Sequence, residues 1–222
     1  MIKFLKGHNK KEFLYNIKYT LSIVLLTYLC FFSFYLLLQV IDLFFESIDF
    51  SKLKEFKSKS DFDFEENSFW HKAISALLLA PLIEELVFRE PLKLSKKNII
   101  IPKLFLISSI IGLIIKRKFI FYLLIVYSIY LLLLFYFLQK PEKKNIVKLN
   151  VIITSILFGY LHIYTFDKVD IAYWYLYLHK VIPLAIFGFF LAKIRLKLNT
   201  YWSILGHTVF NSIPFILSII FN

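Results

Sequence analysis

An all-α bundle of about seven transmembrane helices is the fold this sequence predicts, and three observations predict it. The chain is 59% apolar, with a mean hydropathy of +0.70. Its charged residues, 19% of the total, cluster between long apolar runs. With 26 Phe and 14 Tyr against only 5 Gly, those runs read as helices, not as the alternating strands of an outer-membrane barrel. Residues 1–222 read as a single membrane domain with no soluble one. An N-terminal span and an external loop occupy 1–70, and the helices that carry polar residues occupy about 71–222.

The net charge of +12 would suit a nucleic acid if it lay on one face. The lysines are instead dealt out among the loops, as positive-inside topology requires, so the expected surroundings are a lipid bilayer and no nucleic acid. Cys30 stands alone within a span. It rules out an internal disulfide and is expected to be a buried apolar filler. The first apolar run is too long for the core of a cleavable signal, lacks a small-residue cleavage site, and should stay as a span.

Met1 to Lys18 carries five lysines against Glu12 and is expected on the cytoplasmic side. Tyr19 to Ile41 is the first span, and Asp42 to Trp70 an external loop with room for a surface amphipathic helix. The second span, His71 to Phe88, returns to the lysines that follow it. Ile99 to Ile115 and Phe119 to Leu138 form a hairpin around Lys116-Arg117-Lys118, which falls outside against the positive-inside tendency. A fifth span runs from about Val151 to Tyr164, Asp167 and Asp170 mark an external loop, Trp174 to Ala192 comes back, and Tyr201 to Phe221 closes the bundle. Trp70, Trp174 and Trp202 stand at span starts, where an interfacial aromatic belt would place them. No internal repeat of the kind found in many transporters is visible.

The second span ends Ala80-Pro81-Leu82-Ile83-Glu84-Glu85-Leu86-Val87-Phe88-Arg89. A charge near the centre of a bilayer helix costs roughly 2.5–3.5 kcal/mol on insertion scales, so such residues face a bundle interior or a wet cavity. Glu85 and Arg89 are four apart on one helical face and form an expected structural ion pair. Glu84 is turned about 100° away and has no partner in its own helix. Snorkelling to the interface is its bland role, and chemistry its sharp one. Two further polar stations answer it. Phe158 and His162 share one face of the fifth span, with Gly159 allowing close helix approach, and His207 and Asn211 share one face of the last. For either histidine alone a helix–helix hydrogen bond is the default, and Asn211 could be interhelical glue.

Together the stations hold a carboxylate, two imidazoles and an amide, a set suited to peptide hydrolysis. Glu84 could deprotonate water and then protonate the leaving amine. Glu84, His162 and His207 also match the donors of a catalytic Zn2+ site with one open position. The imidazoles or the Asn211 amide could instead donate to an oxyanion. HExxH is absent, so an ordinary zincin site is excluded. Pro81, Pro183 and Pro214 are expected to kink their spans, each freeing a carbonyl, and the bend before Glu84 would open a cavity.

Glu84-Glu85-x-x-x-Arg89, Phe158-x-x-x-His162 and His207-x-x-x-Asn211, in that order and each inside an apolar run, resemble the three motifs of the CPBP family. That family includes the CAAX prenyl endopeptidases and the bacterial bacteriocin-processing or immunity (Abi) proteins. The resemblance covers roughly Ala73 to Ser212. It implies an intramembrane endopeptidase acting on a membrane-associated peptide or a lipidated protein. Glu84 would be the catalytic carboxylate, His162, His207 and Asn211 would complete the site, and Glu85, Arg89 and Phe158 would support it. The Lys-, Asn-, Ile- and Phe-rich composition tilts the expected source to a bacterial cell membrane. Two departures stand out: Glu90 follows the motif arginine where a small residue is expected, and the Ile99–Leu138 insert lengthens the gap between stations. Depth is a further tension. At 1.5 Å per residue, His162 would sit some 20 Å from Lys148, against roughly 8–12 Å for Glu84 and His207 from their own helix ends, so the fifth helix must begin deeper or outside the bilayer. The rival readings are a non-catalytic bacteriocin-immunity or regulatory membrane partner and a small proton-coupled transporter.

Overall fold

The computed structural model describes residues 10–44, 69–94, 100, 119–139, 143–165 and 174–221, and among these every regular element is helical. In chain order they are α1 (Lys10–Phe44), α2 (Phe69–Ile74), a π turn (Ser75–Leu79), α3 (Ala80–Phe88), a 3-10 turn (Glu90–Leu92), α4 (Phe119–Leu138), α5 (Lys143–Leu161), a 3-10 turn (His162–Thr165), α6 (Trp174–Lys197) and α7 (Thr200–Phe221). The lysine-rich start, most of the expected external loop, the span over Ile99–Ile115 with its Lys116-Arg117-Lys118 turn, and the Asp167–Asp170 loop lie outside the described residues.

Helices over Lys10–Ile41, Tyr177–Lys197 and Thr200–Ile220 are long and apolar enough to cross a membrane, and shorter apolar stretches follow at Tyr127–Leu138 and Asn145–Leu161. This is an integral membrane protein. Among the described residues the helices form six rods, counting α2, the π turn and α3 as one. Their outward faces are apolar, with Leu25, Leu132 and Ile220 more than half exposed, as lipid contact demands.

Helix limits differ from the expected spans where lysines flank them. α1 begins at Lys10 and α5 at Lys143, because lysine is a good helix former whose stem can lie along the rod with its head in water. The longer α5 relieves the depth tension. Its Asn150 Nδ2 donates to the carbonyl of Pro91 at 3.1 Å, so residues 143–149 project beyond the level at which α3 has already ended, and His162 falls beside Glu84. The aromatic belt also needs one correction. Trp202 is buried and packs on Phe13 of α1 with ring centroids 5.6 Å apart, because α1 covers the start of α7. Cys30 is half-buried, not buried.

The core packs α5 against α6 and lays α1 over α6 and α7. Gly159 makes the first contact possible: a Cβ there would run into the carbonyl oxygen of Val181 and lie 2.9 Å from the amide nitrogen of Ala185. Both are backbone, so neither can swing aside. Gly159→Ala is expected to destabilise the bundle by about 1–3 kcal/mol through overpacking, read as a lowered unfolding midpoint in detergent.

Pro81 determines the bend of the second rod. Lacking an N–H, it leaves the carbonyl of Leu77 without its α-helical donor and that of Ala76 without a π-helical one. Thr208 Oγ1 donates to Leu77 at 2.9 Å, and Asn211 Nδ2 to Ala76 at 3.0 Å. The π turn itself is closed by Ala80 N–H donating to Ser75. A local defect in α2–α3 is therefore repaired from α7. At the other end of α3, Glu90 binds Arg195 Nη2 at 3.0 Å and accepts from Thr200 Oγ1. Arg195 is thus buried in a polar clamp at the α6–α7 corner.

Candidate active site

Glu84 and Glu85 come from α3, Phe158 from α5, His162 from the turn that ends it, and His207 and Asn211 from α7. Glu84 Oε2 lies 3.7 Å from His207 Nε2 and 4.0 Å from His162 Nε2. Both separations are well inside the roughly 8 Å, under three hydrogen-bond lengths, that a shared pocket requires. These groups line one cavity of about 460 Å3, together with Asn211, Phe158, Lys180 and the walls Ser75, Ala76, Ala80 and Pro214. Ser75 and Ala76 of the π turn, with Ala80 after it, thus form one side of the cavity. His71 and His179 do not line it.

Each imidazole is held by its other nitrogen. His162 Nδ1 is 2.7 Å from the carbonyl oxygen of Phe158. A carbonyl only accepts, so Nδ1 carries the proton and Nε2 faces Glu84. His207 Nδ1 is 3.1 Å from Glu85 Oε1, which assigns the same tautomer when the ring is neutral. Ser203 Oγ donates to the second oxygen of Glu85. Glu85 is wholly buried and also lies 3.8 Å from Arg89 Nε, so one carboxylate ties arginine, serine and imidazole together. Arg89, equally buried, rests its guanidinium over Phe158 at 4.8 Å, a cation–π contact. The Phe158 ring in turn touches His162 and His207, with centroids 4.8 and 5.8 Å away.

Glu84 differs from its neighbour. Its Oε2 is buried with no hydrogen-bond donor within reach among the described residues, while the side chain as a whole is 22% exposed toward the cavity. A carboxylate that borders the cavity, with one oxygen set near two ring nitrogens, is a candidate position for holding a water or a ligand atom.

The donors Glu84, His162 and His207 fit Zn2+ in kind. Both Nε2 atoms lie on the Glu84 side and both rings are anchored behind by an acceptor, the arrangement that metal-bound histidines favour. Bonds of about 2.0–2.2 Å set at tetrahedral angles place neighbouring donors about 3.3–3.5 Å apart. The observed 3.7 and 4.0 Å are wider, and among the described residues no group of three His, Cys, Asp or Glu side chains is spaced to hold a metal ion.

A family model described as Type II CAAX prenyl endopeptidase Rce1-like matches residues 66–213, well over half of the chain. The chain belongs to this family. No curated protein and no solved structure gives a match. The matched region of this prenyl-endopeptidase family member runs from before α2 almost to Pro214 and contains every cavity-facing carboxylate and imidazole named above. It leaves α1 outside.

Ser203, Thr208 and Glu90 were not singled out for these roles by sequence. Ser203 stands four residues before His207 and Thr208 one after it, so the helical spacing around His207 was the available signal. Small hydroxyls are common enough in membrane helices to have hidden it.

Proposed function

We propose that the protein is an intramembrane endopeptidase that hydrolyses a peptide bond in a membrane-associated peptide or lipidated protein, with Glu84 activating the attacking water. The observation that carries this reading is the unbonded Glu84 oxygen 3.7 and 4.0 Å from two ring nitrogens on a cavity wall. Glu84 takes a proton as the water oxygen attacks the scissile carbonyl carbon, and returns it to the leaving nitrogen when the C–N bond breaks. Asn211 has one amide N–H engaged with Ala76 and a second for the oxyanion; in their protonated states, His162 and His207 donate there too. Glu85 and Phe158 fix the ring orientations, and the buried setting keeps bulk water from competing with these dipoles. If Zn2+ is held, Glu84, His162 and His207 would be its ligands, and it would supply a Lewis acid and an acidified water.

The membrane arrangement that accompanies this reading is a bundle of about seven spans with the N-terminus on the cytoplasmic side of a bacterial membrane. Turnover of a farnesylated C-terminal CAAX peptide by purified protein, alongside Glu84→Gln and His162→Ala, tests the function. Metal content is measured on the same samples. Cleavage by the parent and its loss in folded Glu84→Gln protein is the expected result. Undiminished cleavage by Glu84→Gln ends the reading. Dialysis against a chelator separates the two chemistries: activity that survives with no bound zinc leaves the water to Glu84 alone.

A further inference from the structure

Pro214 repeats in α7 the problem that Pro81 creates in the second rod. With no N–H at 214, the carbonyl of Phe210 loses its helical donor. Tyr28 of α1 supplies one: its hydroxyl donates to the Phe210 oxygen at 2.6 Å. The rings of the same two residues stack 4.6 Å apart. Phe210 stacks on Phe187 at 3.9 Å, and Phe187 stands edge-on to His207 at 5.1 Å with an interplanar angle of 88°. The kinked turn that Tyr28 caps carries Asn211 and Pro214, both in the cavity wall. Neither Tyr28 nor Pro214 falls within residues 66–213, so this brace belongs to the chain outside its family match.

We infer that Tyr28 is a positioning residue of the site: by capping the Phe210 carbonyl it holds the bend of α7 that sets Asn211 and the His207 ring against Glu84. The claim rests on the endopeptidase reading for its kinetics but not for its geometry. An uncapped carbonyl in an apolar interior seeks another donor, and since Pro214 can supply none, this turn of α7 would have to shift to reach one. α1 therefore works as a brace, and not only as a membrane anchor.

The test is Tyr28→Phe, which keeps the ring and deletes only the hydroxyl, set in a cycle with Pro214→Ala, which restores the missing N–H. With the farnesylated peptide as probe, Tyr28→Phe is expected to lower kcat about 5–20-fold, the worth of one buried hydrogen bond expressed in the barrier. KM should change by less than about twofold. In the Pro214→Ala background the same change should cost less than about twofold, because the backbone then caps itself. A second readout needs no turnover. In histidine-labelled protein in micelles, the His207 ring signals, assigned by their loss in His207→Gln, should shift in Tyr28→Phe while those of His71 stay. Equal losses in both backgrounds, or unmoved His207 signals, overturn the inference. If the peptide is not cleaved at all, the functional reading fails while the ring signals still decide the role of Tyr28.

Discussion

Glu84→Gln is expected to lower kcat by about 10³-fold, in the middle of the range for loss of a general base, with KM within about threefold. Glutamine keeps the shape of the side chain and loses the basic oxygen, so the cavity still admits substrate. Since Glu84 Oε2 accepts no hydrogen bond among the described residues, little stability depends on its charge, and the unfolding midpoint in detergent should barely move. Initial rates against peptide concentration, beside a thermal melt of each preparation, check both halves. A residue that merely snorkels would give the opposite pattern, with rates intact.

Glu85→Leu should do the reverse first and the same second. Glu85 and Arg89 are both wholly buried, and removing one member of a buried ion pair costs about 3–5 kcal/mol because the other charge is left uncompensated. Unfolding in detergent should register that loss. Adding Arg89→Met removes the orphaned guanidinium and should recover most of the stability. It should not recover turnover. His207 Nδ1 would still lack the carboxylate that orients it at 3.1 Å, while Ser203 Oγ would keep only the Leu191 carbonyl, 3.1 Å away. A double variant with recovered activity would mean that Glu85 serves the fold alone.

The polar stations were legible because lipid is an unforgiving solvent: a carboxylate or imidazole inside an apolar run needs a partner, so Glu84, His162 and His207 advertised one another. The Glu85–Arg89 pair followed from helical spacing. Pro81 and Pro214 could be read as bends, but not who would repair them. Thr208 and Asn211 lie 131 and 135 residues from the carbonyls they serve, and Tyr28 lies 182 from Phe210. Nothing local encodes such distances. The π turn was hidden for the same reason, since the stretch Ser75–Leu79 reads as ordinary helix until α7 packs on it. Arg195 stands between Lys193 and Lys197, a cluster that marks a span end by charge alone, and only the α6–α7 corner shows it bound to Glu90.

The repair of the second rod from α7 also sets an order of events during synthesis. α2 and α3 leave the ribosome long before Thr208 and Asn211 exist, and chains fold from the N-terminal side as they emerge. Until α7 inserts, the carbonyls of Ala76 and Leu77 have no side chain to receive them, and Glu84 has no His207 to face. The nascent polypeptide therefore passes through the membrane machinery with this pocket unassembled, and the Glu84–His207 pairing forms only when the 200–221 segment arrives.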